Sequence, residues 1–249
     1  MYLTRFRINT ARHGARFLLS SPQRWHAAVL AGFPGLPTDP AARPRILWRL
    51  DHIARTDVHA YIVSPDRPDL THLVEQAGWP ALAQPDTPGW ETRHYRPFLQ
   101  RLAKGDRWAF RLTANPVHSI RRNDKEPTKR TAHLTPRHQL GWLLEQTTKH
   151  GFELLPGLVP DDEDPLNRYS VIVHDRRDLS FRKRPENAAP GTGPKNEGQR
   201  RTGPVTLVTA VYSGQLEVTD PDALRNALAR GIGRSKAYGC GLLTLAPQG

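Results

Sequence analysis

Gly231-Ile232-Gly233-Arg234-Ser235-Lys236-Ala237-Tyr238-Gly239-Cys240-Gly241 sets two Gly-apolar-Gly triplets around a stretch that includes two cations. Glycines adopt positive φ and admit a close neighbouring backbone, so successive N–H groups can converge on phosphate oxygens while Arg234 and Lys236 neutralise charge. The pattern predicts a polyanion-binding loop contacted through Gly231, Gly233, Arg234, Lys236, Gly239 and Gly241. A dinucleotide fingerprint is disfavoured, because that motif follows a strand and opens a helix, the reverse of the order here. A purely structural turn stays open, since Gly231 is also an ordinary helix terminator.

Among 11 histidines, His26 lies where helical geometry is compatible with proton transfer. At about 100° per residue, Trp25, Val29 and Phe33 form a buried helical stripe, with His26 at its edge beside Gln23 and Leu30. There the ring can be held by packing and still reach a substrate. With an unperturbed pKa of ~6.5, imidazole accepts or gives a proton near neutral pH. Helical position alone does not separate this from a satisfied core or surface histidine.

No metal site or other cofactor is expected. His133 and His138 are too far apart for the usual one-turn ligand pair, and no H-E-x-x-H is present. The run Asp161-Asp162-Glu163-Asp164 lacks the alternating ligands and central glycine of a calcium loop. Cys240 is the single cysteine, which excludes an internal disulfide and a multi-cysteine zinc cluster and fits a reducing cytoplasm.

These groups need a scaffold. Tyr2, Thr4, Phe6 and Ile8 alternate with Leu3, Arg5 and Arg7, the period of a half-buried strand, so the basic N-terminus belongs to a folded unit despite resembling a transit peptide. Ser21-Pro22 opens a helix to about Phe33, where Gly32 and Pro34 end it. Strands at Ile46 to Ile53 and Val58 to Ser64, a helix at Leu70 to Ala77 and a strand at Arg107 to Ala114 complete β-α-β-β-α-β. The second half repeats the theme. Thr135-Pro136 starts a helix through Leu140, Leu143, Leu144 and Thr147, with Gly151 as its left-handed terminator. Strands are expected at Tyr169 to His174, Leu179 to Arg184, Val205 to Val211 and Leu242 to Leu245, with a helix opening at Asp220-Pro221. Residues 185–203 carry almost nothing apolar and read as a mobile hairpin tip. The fold expected is α+β: two tandem ferredoxin-like (RRM-like, βαββαβ) domains, 1–115 and 116–249.

Charge narrows the partner. The 36 Lys and Arg against 24 Asp and Glu leave a net charge of +12, which points to nucleic acid. A membrane partner is not expected: no apolar run approaches the roughly 18 to 20 residues of a span, and the arginines are dispersed. Arg182, Lys183 and Arg184 cluster with Arg176 and Arg177 near the expected tip. They form either a solvated basic face or a phosphate-binding one. Trp48, Trp79, Trp90, Trp108 and Trp142 read as core, so none is assigned a stacking role.

Several patches together resemble one family. Met1-Tyr2-Leu3, the helix Trp25 to Pro34, the strand Phe110-Arg111-Leu112-Thr113-Ala114-Asn115-Pro116 and the tail Gly231 to Pro247 keep the order found in CRISPR-associated repeat-processing endoribonucleases. Within them the chain is similar to the CasE subunit of the subtype I-E Cascade complex. The resemblance implies tandem ferredoxin-like folds and metal-free cleavage of CRISPR precursor RNA within repeat hairpins. In the chemistry the resemblance implies, the 2′-oxygen attacks the adjacent phosphate, leaving a 2′,3′-cyclic phosphate and a 5′-hydroxyl. The resemblance also implies that His26 is catalytic, as base or acid, and that the chain stays with other Cascade subunits. It carries Arg182, Lys183 and Arg184 onto a basic hairpin that engages the RNA stem, with Arg24 as a further phosphate contact. One position departs: several CasE proteins have a tyrosine three residues before the histidine, where this chain has Gln23. Glutamine cannot act as a phenolic acid or base, so that role is positional or is supplied elsewhere, Lys236 being a candidate for charge stabilisation. A catalytically inactive RNA-binding scaffold of the same fold is the alternative.

Overall fold

A computed structural model of the chain describes residues 1–39, 41–54, 56–80, 88–120, 129–159, 162–181 and 204–248. Strands β1 (Tyr2–Asn9), β2 (Leu47–His52), β3 (Asp57–Ser64) and β4 (Trp90–His94) form an antiparallel sheet in the order β2-β3-β1-β4. Helices α1 (His13–Leu19), α2 (Pro22–Ala31) and α3 (Thr71–Ala77) lie between them in sequence. This is the ferredoxin-like order. Ser21 is the N-cap of α2 as expected, with extended backbone, although its side chain makes no capping hydrogen bond.

The strand expected to close this first sheet, Arg107–Ala114 (β5), belongs to the second one. The reason is register. The short strand β4 already pairs with β1 from Tyr2 to Phe6, which fills the edge that β5 was expected to take. We therefore propose the division between the two units before Arg107, in the stretch containing helix α4 (Arg96–Arg101), and not after residue 115.

The second sheet is built from β5, β8 (Phe152–Leu154), β9 (Val171–Phe181), β10 (Val205–Val218) and β11 (Leu243–Ala246), ordered β11-β5-β10-β8, with β9 also on β10. β8 and β9 share one edge of β10, so together they take the place of the second ferredoxin-like strand. Helix α5 (Pro136–Thr147) has the expected Thr135 cap, whose side chain accepts from the His138 N–H, and Gly151 takes φ 73°. Helix α7 (Pro221–Arg230) is capped by Asp220, which accepts from two backbone amides. Strands β6 (Val117–Ile120) and β7 (Lys129–Ala132) form a separate hairpin. Helix α6 (Pro165–Arg168) is a single turn.

Two expected strands are one. The polar stretch around Asp175 to Asp178 reads as a break, yet β9 continues through it, with β10 offering partners on both sides. An irregularity opposite Thr209 and Val211, with Asp175 at φ 48°, absorbs the mismatch. Arg182, Lys183, Arg184 and the expected mobile tip lie outside the described residues.

Alternation in the first sheet divides its faces. Phe6, Ile8, Trp48, Ala60 and Ile62 join Trp25 and Val29 of α2 in a core under the helices. Leu47 and Val63, on the opposite face, instead join Leu112, Tyr212, Leu228 and Ile232 in a core that crosses into the second unit. Each fully buried large apolar side chain contributes about 1.5–3 kcal/mol, so the second face of the first sheet, through Leu47 of β2 and Val63 of β3, holds the two units together. Among the described residues, no helix is long and apolar enough to cross a membrane.

Candidate active site

His26 sits in the second turn of α2, between buried Trp25 and exposed Ala27, and is itself half-buried. The stripe expected from spacing is present: Trp25 and Val29 are 0% exposed and Phe33 is 7%. Gln23 is half-buried one turn earlier. The Trp48 indole Nε1 donates to His26 Nδ1 at 3.0 Å, with ring centroids 6.4 Å apart. From sequence, Trp48 reads as core. It is buried, and it is also the hydrogen-bond partner of the candidate catalytic ring.

The glycine segment packs on the same place. Its one-turn 3-10 helix Lys236–Tyr238 lies against α2 and β2. Gly231, Gly233, Gly239 and Gly241 all have positive φ, between 73° and 90°. At Gly239 the reason is closeness as well as backbone conformation. An added Cβ would lie 2.6 Å from the Trp48 ring, so a side chain there would displace the indole that holds His26.

Strand β5 anchors this segment. The Gly241 N–H donates to the Thr113 carbonyl at 2.7 Å, and Asn115 Nδ2 donates to Ser235 Oγ at 2.8 Å. Ser235 itself takes φ 59°. Three stretches singled out from the sequence, Trp25 to Pro34, Phe110 to Pro116 and the tail, are thus one neighbourhood. Strand β2 connects them.

The cations divide into different settings. Lys236 is half-buried and its Nζ donates to the Gly233 carbonyl at 2.6 Å. Burial, followed by the nearby Arg45 charge, holds its ammonium pKa below the ordinary lysine value. Arg234 is exposed. Arg24 is also exposed, lies over the Phe17 ring at 4.2 Å and donates to Ser20 Oγ at 2.7 Å. Several amides of the loop are used internally: Gly231 N–H donates to Ala227 O, Ile232 N–H to Gly241 O and Tyr238 N–H to Ser235 O. Phe181 meets Tyr238 edge-on at 4.9 Å, so β9 reaches the glycine segment at the residue preceding the Arg182-Lys183-Arg184 run.

Arg49 is the second residue that sequence reasoning missed. It is 1% exposed, and its Nε and Nη2 grip the two Asp51 carboxylate oxygens at 2.7 and 2.8 Å. Its Nη1 donates to Arg111 O at 2.7 Å and Leu242 O at 3.0 Å, and Nη2 also donates to Thr244 Oγ1 at 2.8 Å. This guanidinium ties β2 to both β5 and β11. An arginine in an apolar strand pattern is the available signal, and Asp51 is two positions on, but the partners on β5 and in the tail are 62 to 195 positions away.

A cavity of about 170 Å³ lies between the units, with Trp48, His52, Arg111, Arg177 and Tyr238 in its wall. His52 is held below the usual histidine range by burial and then by Arg177. His26 is not in that wall; its neighbour Trp48 is. Among the described residues, no group of three or more His, Cys, Asp or Glu is placed to hold a metal ion. Cys240 is fully buried, and its thiol is pushed up to about 12.

Residues 1–247 match the family model described as "CRISPR associated protein". The chain is 29% identical over 248 residues to the CRISPR-associated endoribonuclease Cse3 of Thermus thermophilus, covering 99% of this chain and 100% of that one. It is also similar to a CRISPR endoribonuclease Cse3 bound to a 19-nucleotide RNA, with TM-score 0.70, 26% identity and coverage of 99% and 100%. A third similarity is to Thermus thermophilus Cse3 bound to an RNA representing a pre-cleavage complex, with TM-score 0.68, 26% identity and coverage of 99% and 98%.

Proposed function

This chain belongs to the CRISPR associated protein family, and from that premise we propose that it is a metal-independent endoribonuclease cutting CRISPR precursor RNA within repeat hairpins. It remains on the mature guide RNA as a subunit of Cascade. The observation that carries this reading is His26, held by Trp48 beside a cationic glycine segment, in a chain similar over its full length to an endoribonuclease.

The reaction is a transesterification. The 2′-oxygen forms a bond to the adjacent phosphorus as the bond to the 5′-oxygen breaks. One proton leaves the 2′-hydroxyl and one arrives at the 5′-oxygen. His26 assists this exchange, a role for which general acid-base groups contribute typically 10²- to 10⁴-fold. Arg234 and Lys236, with Arg24 and the Arg182-Lys183-Arg184 run, offset the charge of the RNA backbone. Gly231, Gly233, Gly239 and Gly241 supply the positive-φ backbone that shapes this loop, their Cα faces packed on the protein's own residues, so that it presents Arg234 and Lys236 to the RNA.

The test is incubation of the protein with its cognate repeat RNA in EDTA, followed by end-group analysis of the products. The expected result is cleavage with 2′,3′-cyclic phosphate and 5′-hydroxyl ends. Tight binding without cutting would identify an inactive scaffold of the same fold. Cutting abolished by EDTA would remove the metal-free mechanism.

A further inference from the structure

We infer that Trp48 is a positioning residue for His26, whose indole N–H keeps the imidazole in the neutral form with its proton on Nε2. The inference deepens the proposed function, because it rests on His26 being the reacting ring. An indole nitrogen donates and does not accept. With Trp48 Nε1 at 3.0 Å, His26 Nδ1 must supply a lone pair, and a neutral imidazole then carries its one proton on Nε2. The other tautomer and the imidazolium would both set two N–H groups against each other. Either requires the ring to leave Trp48.

Trp48 has little freedom to yield. It is 2% exposed, belongs to the core under the helices, and has the Gly239 backbone against its ring. In such a setting a hydrogen bond is not readily exchanged for water. Ionisable groups also lie on the elements around α2. They are His13 and Arg16 of α1, Arg49, Asp51 and His52 of β2, His72 and Glu75 of α3, and Lys236 and Tyr238 of the glycine segment. Asp51 is already gripped by Arg49, His72 Nε2 lies 2.8 Å from the Ala28 carbonyl, and Lys236 donates to Gly233 O.

The consequence is a choice among the roles open to a histidine. A proton on Nε2 makes that atom a hydrogen-bond donor, a form suited to a phosphate oxygen that gains charge as the transition state forms. Taking the 2′-hydroxyl proton at Nε2 would first require the ring to move its own proton to Nδ1 and break from Trp48.

The experiment uses the full chain labelled with ¹⁵N-histidine, without RNA. At neutral pH the His26 nitrogen shifts should report a protonated Nε2 and a bare Nδ1. A ring protonated on Nδ1, or an even mixture, overturns the inference. Trp48→Phe keeps an aromatic ring and removes the N–H. His26 should then populate both tautomers, and its titration midpoint should rise by roughly half to one pH unit, the limb of the cleavage pH profile moving with it. An unmoved midpoint and tautomer also overturn it. If Trp48→Phe does not fold, the wild-type spectrum decides alone. Undiminished cleavage by His26→Ala would remove the catalytic reading of His26 while leaving the tautomer measurement intact.

Discussion

Gly239 and Trp48 touch where the two units meet: a methyl group on Gly239 would lie 2.6 Å from the indole ring whose N–H reaches His26. The tail segment thus bears on the candidate active site through packing, in addition to any contact it makes with RNA. Gly239→Ala should therefore do two things. The substituent meets Trp48 and must also hold φ 83°, a conformation that costs an L-residue about 1–2 kcal/mol. A lowered thermal midpoint together with slower cleavage is the expected outcome. Stability and cleavage both equal to wild type would show that Trp48 yields freely.

His26→Ala should reduce single-turnover cleavage by about 10²- to 10⁴-fold. Hairpin affinity should change little, because the proposed RNA contacts are mainly those of cationic side chains. Cleavage at the wild-type rate would remove His26 from the mechanism.

Arg49→Ala should destabilise the fold by about 3–5 kcal/mol, the usual cost of breaking a buried pair and leaving one charge behind. Asp51, 6% exposed, would be the charge left behind. The carbonyls of Arg111 and Leu242 would lose a donor as well. Denaturant midpoints measure the effect. A loss within ~0.5 kcal/mol, typical of surface sites, would mean that the units are held by the apolar face alone.

Salt dependence separates the cations. Arg234 is exposed, so Arg234→Ala should weaken RNA binding and flatten the log-log salt slope by roughly 0.7 for a single-strand phosphate contact. Lys236 spends its ammonium on Gly233 O. Lys236→Met should lower stability and alter the slope less than Arg234→Ala. Equal changes in slope for both variants would place the Lys236 ammonium on phosphate in the complex.

Mild acid should destabilise the protein. His133 is held below the ordinary histidine range by burial and then by the His118 and His138 rings, and His52 by burial and then Arg177. Both rings take up protons more readily when unfolded. Their contribution to stability is therefore present above the unfolded value of ~6.5 and is lost as pH falls through it towards the depressed folded values. Denaturation midpoints followed from about pH 8 to pH 5 should fall, and His133→Asn should flatten the decline. Stability that rises over this range contradicts the assignment.

Local signals explain what could be read without coordinates. Thr135-Pro136 and Asp220-Pro221 carry their caps within a few residues, and β1 shows its period in its own side chains. The stripe of Trp25, Val29 and Phe33 placed His26 at a half-buried edge for the same reason. β4 went unread because its five residues have no buried member, and β5 was read as a strand but given the wrong sheet. Strand pairing is a contact between distant residues, and periodicity within β5 does not name its partner.

The sequence by itself determined the charge, the two α+β units, the helix carrying His26, the glycine-cation segment and the family resemblance. Tertiary structure alone decided that Trp48 donates to that histidine, that Gly239 sits against Trp48, and that Arg49 joins β2 to β5 and β11. Caps, stripes and glycine spacing act over a few residues and leave a local trace. A hydrogen bond from β2 to α2, or from β2 to β11, exists only once folding brings separate segments within about 3 Å.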